Sequence, residues 1–248
     1  AMKTSDSLIE QIRIQIPRET CSDYYYATQK EWLETNGIGG FASSTIIGAN
    51  VRRYHGLLVA SLRPPTHRVV LLSKFDESAA IGGKNYELST NQYPFIVYPE
   101  GHKNIERFEY DLYPRFIFRI NGTVLEKSIV MIHGENSTLV RYRVVTSPMP
   151  VQLTIRPLCA FRDYHGLSHE NSALDHNILM NENYFSMKPY AEMPALYVGY
   201  NRGKVEPKFF WYKNAEYRKE QERGLEFVED LFSPAYLSAV LAEGESLD

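Results

Sequence analysis

The sequence predicts a mainly β fold, a large antiparallel sandwich with few short helices. Three observations predict it: apolar and polar residues alternate at period two in run after run, turn-forming clusters separate those runs, and helical periodicity is sparse. An aromatic content of 13%, from 18 Tyr, 12 Phe and 2 Trp, adds residue types that pack well on a pleated surface.

Taken along the chain, strands are expected at Arg68–Leu72 and Ile96–Tyr98, each bounded by Gly, Pro, Asn or Asp. In Arg115–Ile120 the side chains of Phe116, Phe118 and Ile120 share one face, Asn121-Gly122 suits a type I′ turn, and residues 123–132 return as the partner strand. Thr138–Val145 alternates Val140, Tyr142 and Val144 against Leu139, Arg141 and Arg143. After Ser147-Pro148-Met149-Pro150 the run Val151–Ile155 alternates again, which makes a meander. Tyr184–Met187, Ala195–Tyr200, Phe209–Tyr212 and Tyr236–Leu241 follow, and strands this short and this closely spaced imply sheet packed on sheet. One surface helix is expected over Asn214–Arg223, polar nearly throughout, with Asn214 as N-cap and Gly224 closing it. No repeat or Gly/Ser/Pro-rich linker divides the chain, so a single domain is expected over residues 1–248, with residues 1–30 as an N-terminal strand or extension.

Composition limits the function. With 27 Lys+Arg against 30 Asp+Glu the net charge is −3, which lacks the basic excess that nucleic acid or an anionic membrane demands. A neutral or weakly charged ligand fits better. No run approaches the roughly 18 apolar residues of a membrane span, and the N-terminus lacks a basic-then-apolar signal, so a cytoplasmic location is expected. Cys21 and Cys159 lie far apart outside any C-x-x-C pattern and read as two buried thiols.

Three clusters carry polar side chains in quantity. Asn50–Ala60 places Arg52, Arg53, Tyr54 and His55 just ahead of an apolar strand, where they suit either sugar hydroxyls or a structural role. Alternation would put Arg53 and His55 on one side, Arg52 and Tyr54 on the other. Arg156–Asn171 contains Arg162, Asp163, Tyr164 and His165, with His169 four residues further. Gly166 and Ser168 between the histidines argue for a loop rather than a helical metal pair, so neither a metal nor a cofactor is expected. Trp211 sits in the run Phe209–Tyr212, as a stacking platform or as a core anchor of a strand buried on both faces. Gly37-Ile38-Gly39-Gly40 lacks the register of a phosphate loop and reads as a tight, packed turn. Glycoside hydrolysis needs two carboxyls about 5–5.5 Å or about 6.5–9.5 Å apart. The doublets Asp76-Glu77 and Glu229-Asp230 point to opposite faces if they lie in strands, so neither makes such a pair by itself.

The stretches E-W-L-E-T-N-G-I-G-G-F-A-S-S-T at Glu31–Thr45 and A-N-V-R-R-Y-H-G-L-L-V-A at Ala49–Ala60 are long and specific. With L-L-S-K-F-D-E at Leu71–Glu77, R-P-L-C-A-F-R-D-Y-H at Arg156–His165, and W-Y-K-N-A-E-Y through E-D-L-F-S-P at Trp211–Pro234, the sequence resembles the N-terminal domain of bacterial and archaeal glycogen debranching enzymes of the amylo-α-1,6-glucosidase type. The resemblance implies a super-sandwich ahead of a helical toroid that carries the catalytic acids, a toroid absent from these 248 residues. No catalytic residue is therefore carried over. The expected partners are that C-terminal catalytic domain and an α-glucan such as glycogen. Arg52, Arg53, Tyr54, His55, Arg162, Asp163, Tyr164, His165 and Trp211 are the candidates for touching the glucan or the partner domain. An independent glucan-binding module, or a self-sufficient glycoside hydrolase, is the alternative.

Overall fold

Alternation turns into pairing most plainly at Asn121-Gly122, whose φ values of 47° and 82° give the tight turn that this dipeptide favours. The flanking strands pair antiparallel from Ile120↔Thr123 to Arg115↔Ser128 and bury Phe116, Phe118, Ile120, Leu125 and Ile129. The computed structural model describes residues 13–248, so the first twelve residues of the expected 1–30 extension lie outside the described residues.

In chain order the strands are β1 (Ile14–Pro17), β2 (Glu31–Thr35), β3 (Phe41–Thr45), β4 (Gly56–Arg63), β5 (Thr66–Ile81), β6 (Lys84–Glu87), β7 (Thr90–Tyr93), β8 (Ile96–Glu100), β9 (Ile105–Tyr110), β10 (Pro114–Ile120), β11 (Thr123–Met131), β12 (Thr138–Thr146), β13 (Val151–Asp163), β14 (Ile178–Met180), β15 (Tyr184–Met187), β16 (Leu196–Gly199), β17 (Lys204–Glu216), β18 (Val228–Leu241) and β19 (Ser246–Leu247). Three short helices accompany them, α1 (Arg18–Cys21), α2 (Tyr24–Ala27) and α3 (Arg218–Glu222). One sheet runs β1-β9-β10-β11-β12-β19, and an eight-stranded sheet runs β17-β18-β13-β5-β4-β3-β2 with β6 beside β5. The predicted mainly β, antiparallel architecture is the observed one.

The core lies between these two sheets. Phe116, Leu125 and Tyr142 of the six-stranded sheet share it with Leu71, Ile155 and Leu237 of the larger one. On the other face of the larger sheet Val59, Val70, Leu158, Ala160 and Leu231 form a second, smaller cluster against Phe41, Tyr164 and Tyr212. Cys21 and Cys159 are buried free thiols. The glycine-rich turn joins β2 to β3 with Gly37 and Gly39 at φ 78° and 97°, and a side chain on Gly39 would come within 2.5 Å of the Pro65 carbonyl oxygen. Among the described residues no helix is long and apolar enough to cross a membrane.

Three expectations need correction. The helix over Asn214–Arg223 shrinks to α3, because Ala215 and Glu216 still pair with Glu229 and Val228 of β18. Asn214 is no N-cap: it sits at φ 60° and its backbone N–H donates to Asp230 at 2.9 Å, while Gly224, at φ 68°, does follow the helix. The aromatic run Phe209–Tyr212 belongs to β17, an edge strand with Phe210 exposed, and not to a strand buried on both faces. The stretch before Gly56 is a turn, so strand alternation does not sort Arg52, Arg53, Tyr54 and His55.

Candidate functional site

One end of the large sheet collects eight of the nine nominated residues. The turn between β3 and β4 supplies Arg52 to His55, and the end of β13 with the loop beyond it supplies Arg162 to His165. Helix α3 closes this end, since the Lys219 backbone N–H donates to the Val51 carbonyl at 2.8 Å.

Within the turn the side chains divide as Arg52 with His55 and Arg53 with Tyr54, which replaces the alternation expected from sequence. The Val51 N–H donates to His55 Nδ1 at 3.1 Å, so the neutral imidazole carries its proton on Nε2, which faces Glu31 at 3.6 Å. Burial pushes the His55 pKa down, against the pull of Glu31. Arg52 Nε donates to both Glu31 carboxylate oxygens at 2.8 and 3.1 Å. Burial works against the Glu31 charge, but His55 and Arg52 together hold its carboxyl below the ordinary value. Arg53 turns the other way and donates to the backbone carbonyls of His165 at 2.6 Å and Glu226 at 2.7 Å. The Tyr54 hydroxyl meets His165 Nδ1 at 3.2 Å, and the Tyr54 ring packs edge-on against Tyr164 at 5.5 Å.

Beneath this rim lies a buried ion pair. Arg162 Nε and Nη2 engage the two carboxylate oxygens of Glu229, which is fully buried. Tyr217 donates its hydroxyl to the same carboxylate, and Ser168 adds its N–H at 3.0 Å and its hydroxyl at 3.1 Å. Burial disfavours the Arg162 cation, yet Glu229 outweighs it and raises the pKa above the usual guanidinium value. Burial, then the Glu229 charge, pushes the Tyr217 phenol up. Arg162 Nη2 also donates to the Arg53 carbonyl at 2.8 Å, which ties the two nominated segments together through one guanidinium.

The doublets obey strand geometry. Glu229 turns to Arg162 while Asp230 accepts the Asn214 and Glu170 N–H groups at 2.9 and 3.0 Å. Glu77 points between the sheets to Lys127 and Tyr142, whereas Asp76 accepts from Asn91 at 3.0 Å. Burial works against the Glu77 charge, but Lys127, with the Ser89 hydroxyl and Lys74, holds its carboxyl below the ordinary value. Burial and the Asp76 charge raise Glu87, but neither acid lines the cavity of about 350 Å3 between the sheets. His165 and His169 diverge, the second toward Glu226 at 3.3 Å. Among the described residues no group of three His, Cys, Asp or Glu is placed to hold a metal ion.

Trp211 is not brought to this end. It packs edge-on against Phe232 at 5.5 Å and Phe209 at 6.0 Å, as an anchor for β17. Sequence reasoning did not name Glu31, Ser168, Tyr217 or Glu220 as partners. A signal existed for three of them: Glu31 opens the first motif, Tyr217 closes W-Y-K-N-A-E-Y, and Glu220 lies in the expected helix yet is fully buried against Arg53 at 3.5 Å.

The arrangement separates two tasks. Arg162 and His55 are themselves buried, are consumed by hydrogen-bond partners and fix the shape of the loops. Tyr54, Tyr164, Asp163 and His165 stay half-buried or exposed, with hydroxyl, carboxylate and ring nitrogen beside aromatic faces, groups chemically able to hydrogen-bond to and stack on a polar ligand. Residues 30–248 match the sequence family described as glycogen debranching enzyme N terminal. No curated protein matches this chain.

Proposed function

Because the chain belongs to the glycogen debranching enzyme N-terminal domain family, we propose that it is a non-catalytic scaffold that packs on a cytoplasmic enzyme's catalytic domain and helps shape or bind its α-glucan. The observation that carries this reading is where the acidic side chains spend their hydrogen bonds. A hydrolytic general acid needs a raised pKa and a partner carboxyl across the scissile bond. Glu229 is saturated by Arg162, Tyr217 and Ser168, and Glu77 by Lys127, Tyr142 and Ser89. The rim of Tyr54, Tyr164 and His165, by contrast, is open to a neutral partner or ligand, and it stands on loops held by a rigid sheet.

Two measurements on the 248-residue chain test the proposal. The chain alone is expected to release no glucose from a branched limit dextrin, and to bind maltoheptaose weakly unless the catalytic domain is added. Glucose release would make it a hydrolase in its own right. Tight glucan binding without any partner would make it an independent binding module.

A further inference from the structure

A second and much smaller cavity, of about 20 Å3, lies between the sheets, lined by Lys74 of β5 and Lys127 of β11 together with Gly48 and Asn50 of the β3–β4 connection. Its apolar walls include Trp32 and Phe116, and no carboxylate lines it. A space needs about 10–15 Å3 to admit one water-sized body, so this one holds a single small guest.

The charges beside it say which guest. An ion withdrawn from water loses its hydration, so buried charges are paired. Lys127 obeys this rule, with its ammonium bonded to the Glu77 carboxylate. Lys74 does not. Its side chain is buried, yet among the described residues it enters no ion pair, and its ammonium donates only to the Gly48 and Thr90 carbonyls, at 2.9 and 2.8 Å. Asp76 and Glu77 follow it along β5, but Asp76 accepts from Asn91 at 3.0 Å, and Glu77 is engaged by Lys127, Tyr142 and Ser89. Burial outweighs the pull of both acids and lowers the Lys74 pKa to about 8.

Donors point the same way as charge. An ammonium has three N–H groups and no acceptor. Lys74 spends two of them on carbonyls and Lys127 one on Glu77, which leaves N–H groups of both without an acceptor among the described residues. The other polar side chains of the cavity are matched to one another or to backbone: the Ser44 hydroxyl donates to Asn50 Oδ1 at 2.7 Å, the Asn50 amide to the Ser73 carbonyl at 3.2 Å, and Trp32 Nε1 to the Thr45 carbonyl at 3.1 Å. A water molecule would accept from the ammonium groups but leave the Lys74 charge without a counter-charge. A monatomic anion meets both needs, and a space for one water-sized body excludes sulfate, phosphate and carboxylic acids. We propose that this cavity is a halide site, in which a chloride ion held between the ammonium groups of Lys74 and Lys127 is the counter-ion of Lys74 and ties β5 to β11. This inference stands independently of the glucan reading.

The test uses the 248-residue chain near neutral pH, with bromide as the probe. Thermal unfolding in sodium bromide is compared with unfolding in sodium gluconate of equal ionic strength, whose anion is too large to enter. Bromide at about ten times its dissociation constant is expected to raise Tm by about 3–6 °C over gluconate. In crystals soaked with bromide an anomalous scattering peak is expected inside the cavity, within hydrogen-bond reach of both ammonium nitrogens. Lys74→Met is expected to lose the peak and the bromide-dependent rise together. Should that variant fail to fold, the peak in the wild-type crystal decides. Equal melting temperatures in the two salts overturn the proposal, and so does bromide found only on the protein surface. It also falls if the bromide-dependent rise is undiminished in Lys74→Met.

Discussion

Glu229 and Glu77 are two buried carboxylates in strands of the same sheet, and their partners divide the molecule into two kinds of region. At the sandwich end Glu229 is met by Arg162, whose planar fork covers both carboxylate oxygens and still reaches the carbonyls of Arg53 and Asp163 at 2.8 and 3.2 Å. Between the sheets Glu77 is met by Lys127, a point charge, with the hydroxyls of Tyr142 and Ser89 supplying directed bonds. The guanidinium therefore orders two loops at once, while the ammonium ties β5 to the opposite sheet. Charge buried in the end cluster positions a surface; charge buried in the core fastens layers.

The sharpest way to break this comparison is to remove the fork. Arg162→Met leaves Glu229 fully buried without a cation, and is expected to destabilise the chain by about 3–5 kcal/mol in urea unfolding. Arg162→Lys should recover only part of that loss, because one ammonium cannot serve both carboxylate oxygens and two carbonyls. A loss below about 1 kcal/mol for Arg162→Met would show that the loops are held by something else.

The core region answers to pH instead. Burial lowers the Lys74 pKa from 10.5 to about 8, and its ammonium donates to the Gly48 and Thr90 carbonyls at 2.9 and 2.8 Å. Below pH 8 both folded and unfolded chains carry the proton, so the whole cost of burying the charge is present. Between pH 8 and 10 the unfolded chain holds the proton more tightly, and stability is expected to rise by on the order of 2–3 kcal/mol. Above pH 10 the phenol of Tyr142, raised by burial and by Glu77, works in the opposite direction. Lys74→Met should flatten the rise, and unfolding curves at pH 8, 9 and 10 measure it. An unchanged slope in that variant would remove Lys74 as its origin.

The same contrast explains what could be read from the sequence. The β10–β11 hairpin was legible because its turn chemistry and alternation are local. The expected strand Arg68–Leu72 is only the start of the 16-residue β5, because Lys74, Asp76 and Glu77 interrupt the apolar pattern and find partners as distant as Lys127 and Tyr142. The helix expected from Asn214 failed for a related reason: Asp230 captures the Asn214 N–H, and pairing with β18 overrides a local helical signal. At the end cluster two of the segments singled out from the sequence come together in the fold, but their division of labour was not legible. That division depends on Glu31, Tyr217 and Glu229, which meet Arg52, His55 and Arg162 only through the fold.

The smallest effect on stability should come from the rim, and it probes function rather than folding. Tyr54→Phe removes the 3.2 Å contact with His165 Nδ1 but keeps the ring against Tyr164, so a change under about 1 kcal/mol is expected. If the rim touches the glucan, the same variant lowers the affinity of the assembled enzyme for maltoheptaose severalfold, because a half-exposed hydroxyl is lost where the ligand would use it. Arg162→Met, studied at a temperature where it remains folded, should lower that affinity further by letting both loops move. Equal affinities in all three proteins would assign the rim to domain packing alone, and the order wild type, Tyr54→Phe, Arg162→Met would show a surface whose recognition groups and positioning groups are separate residues.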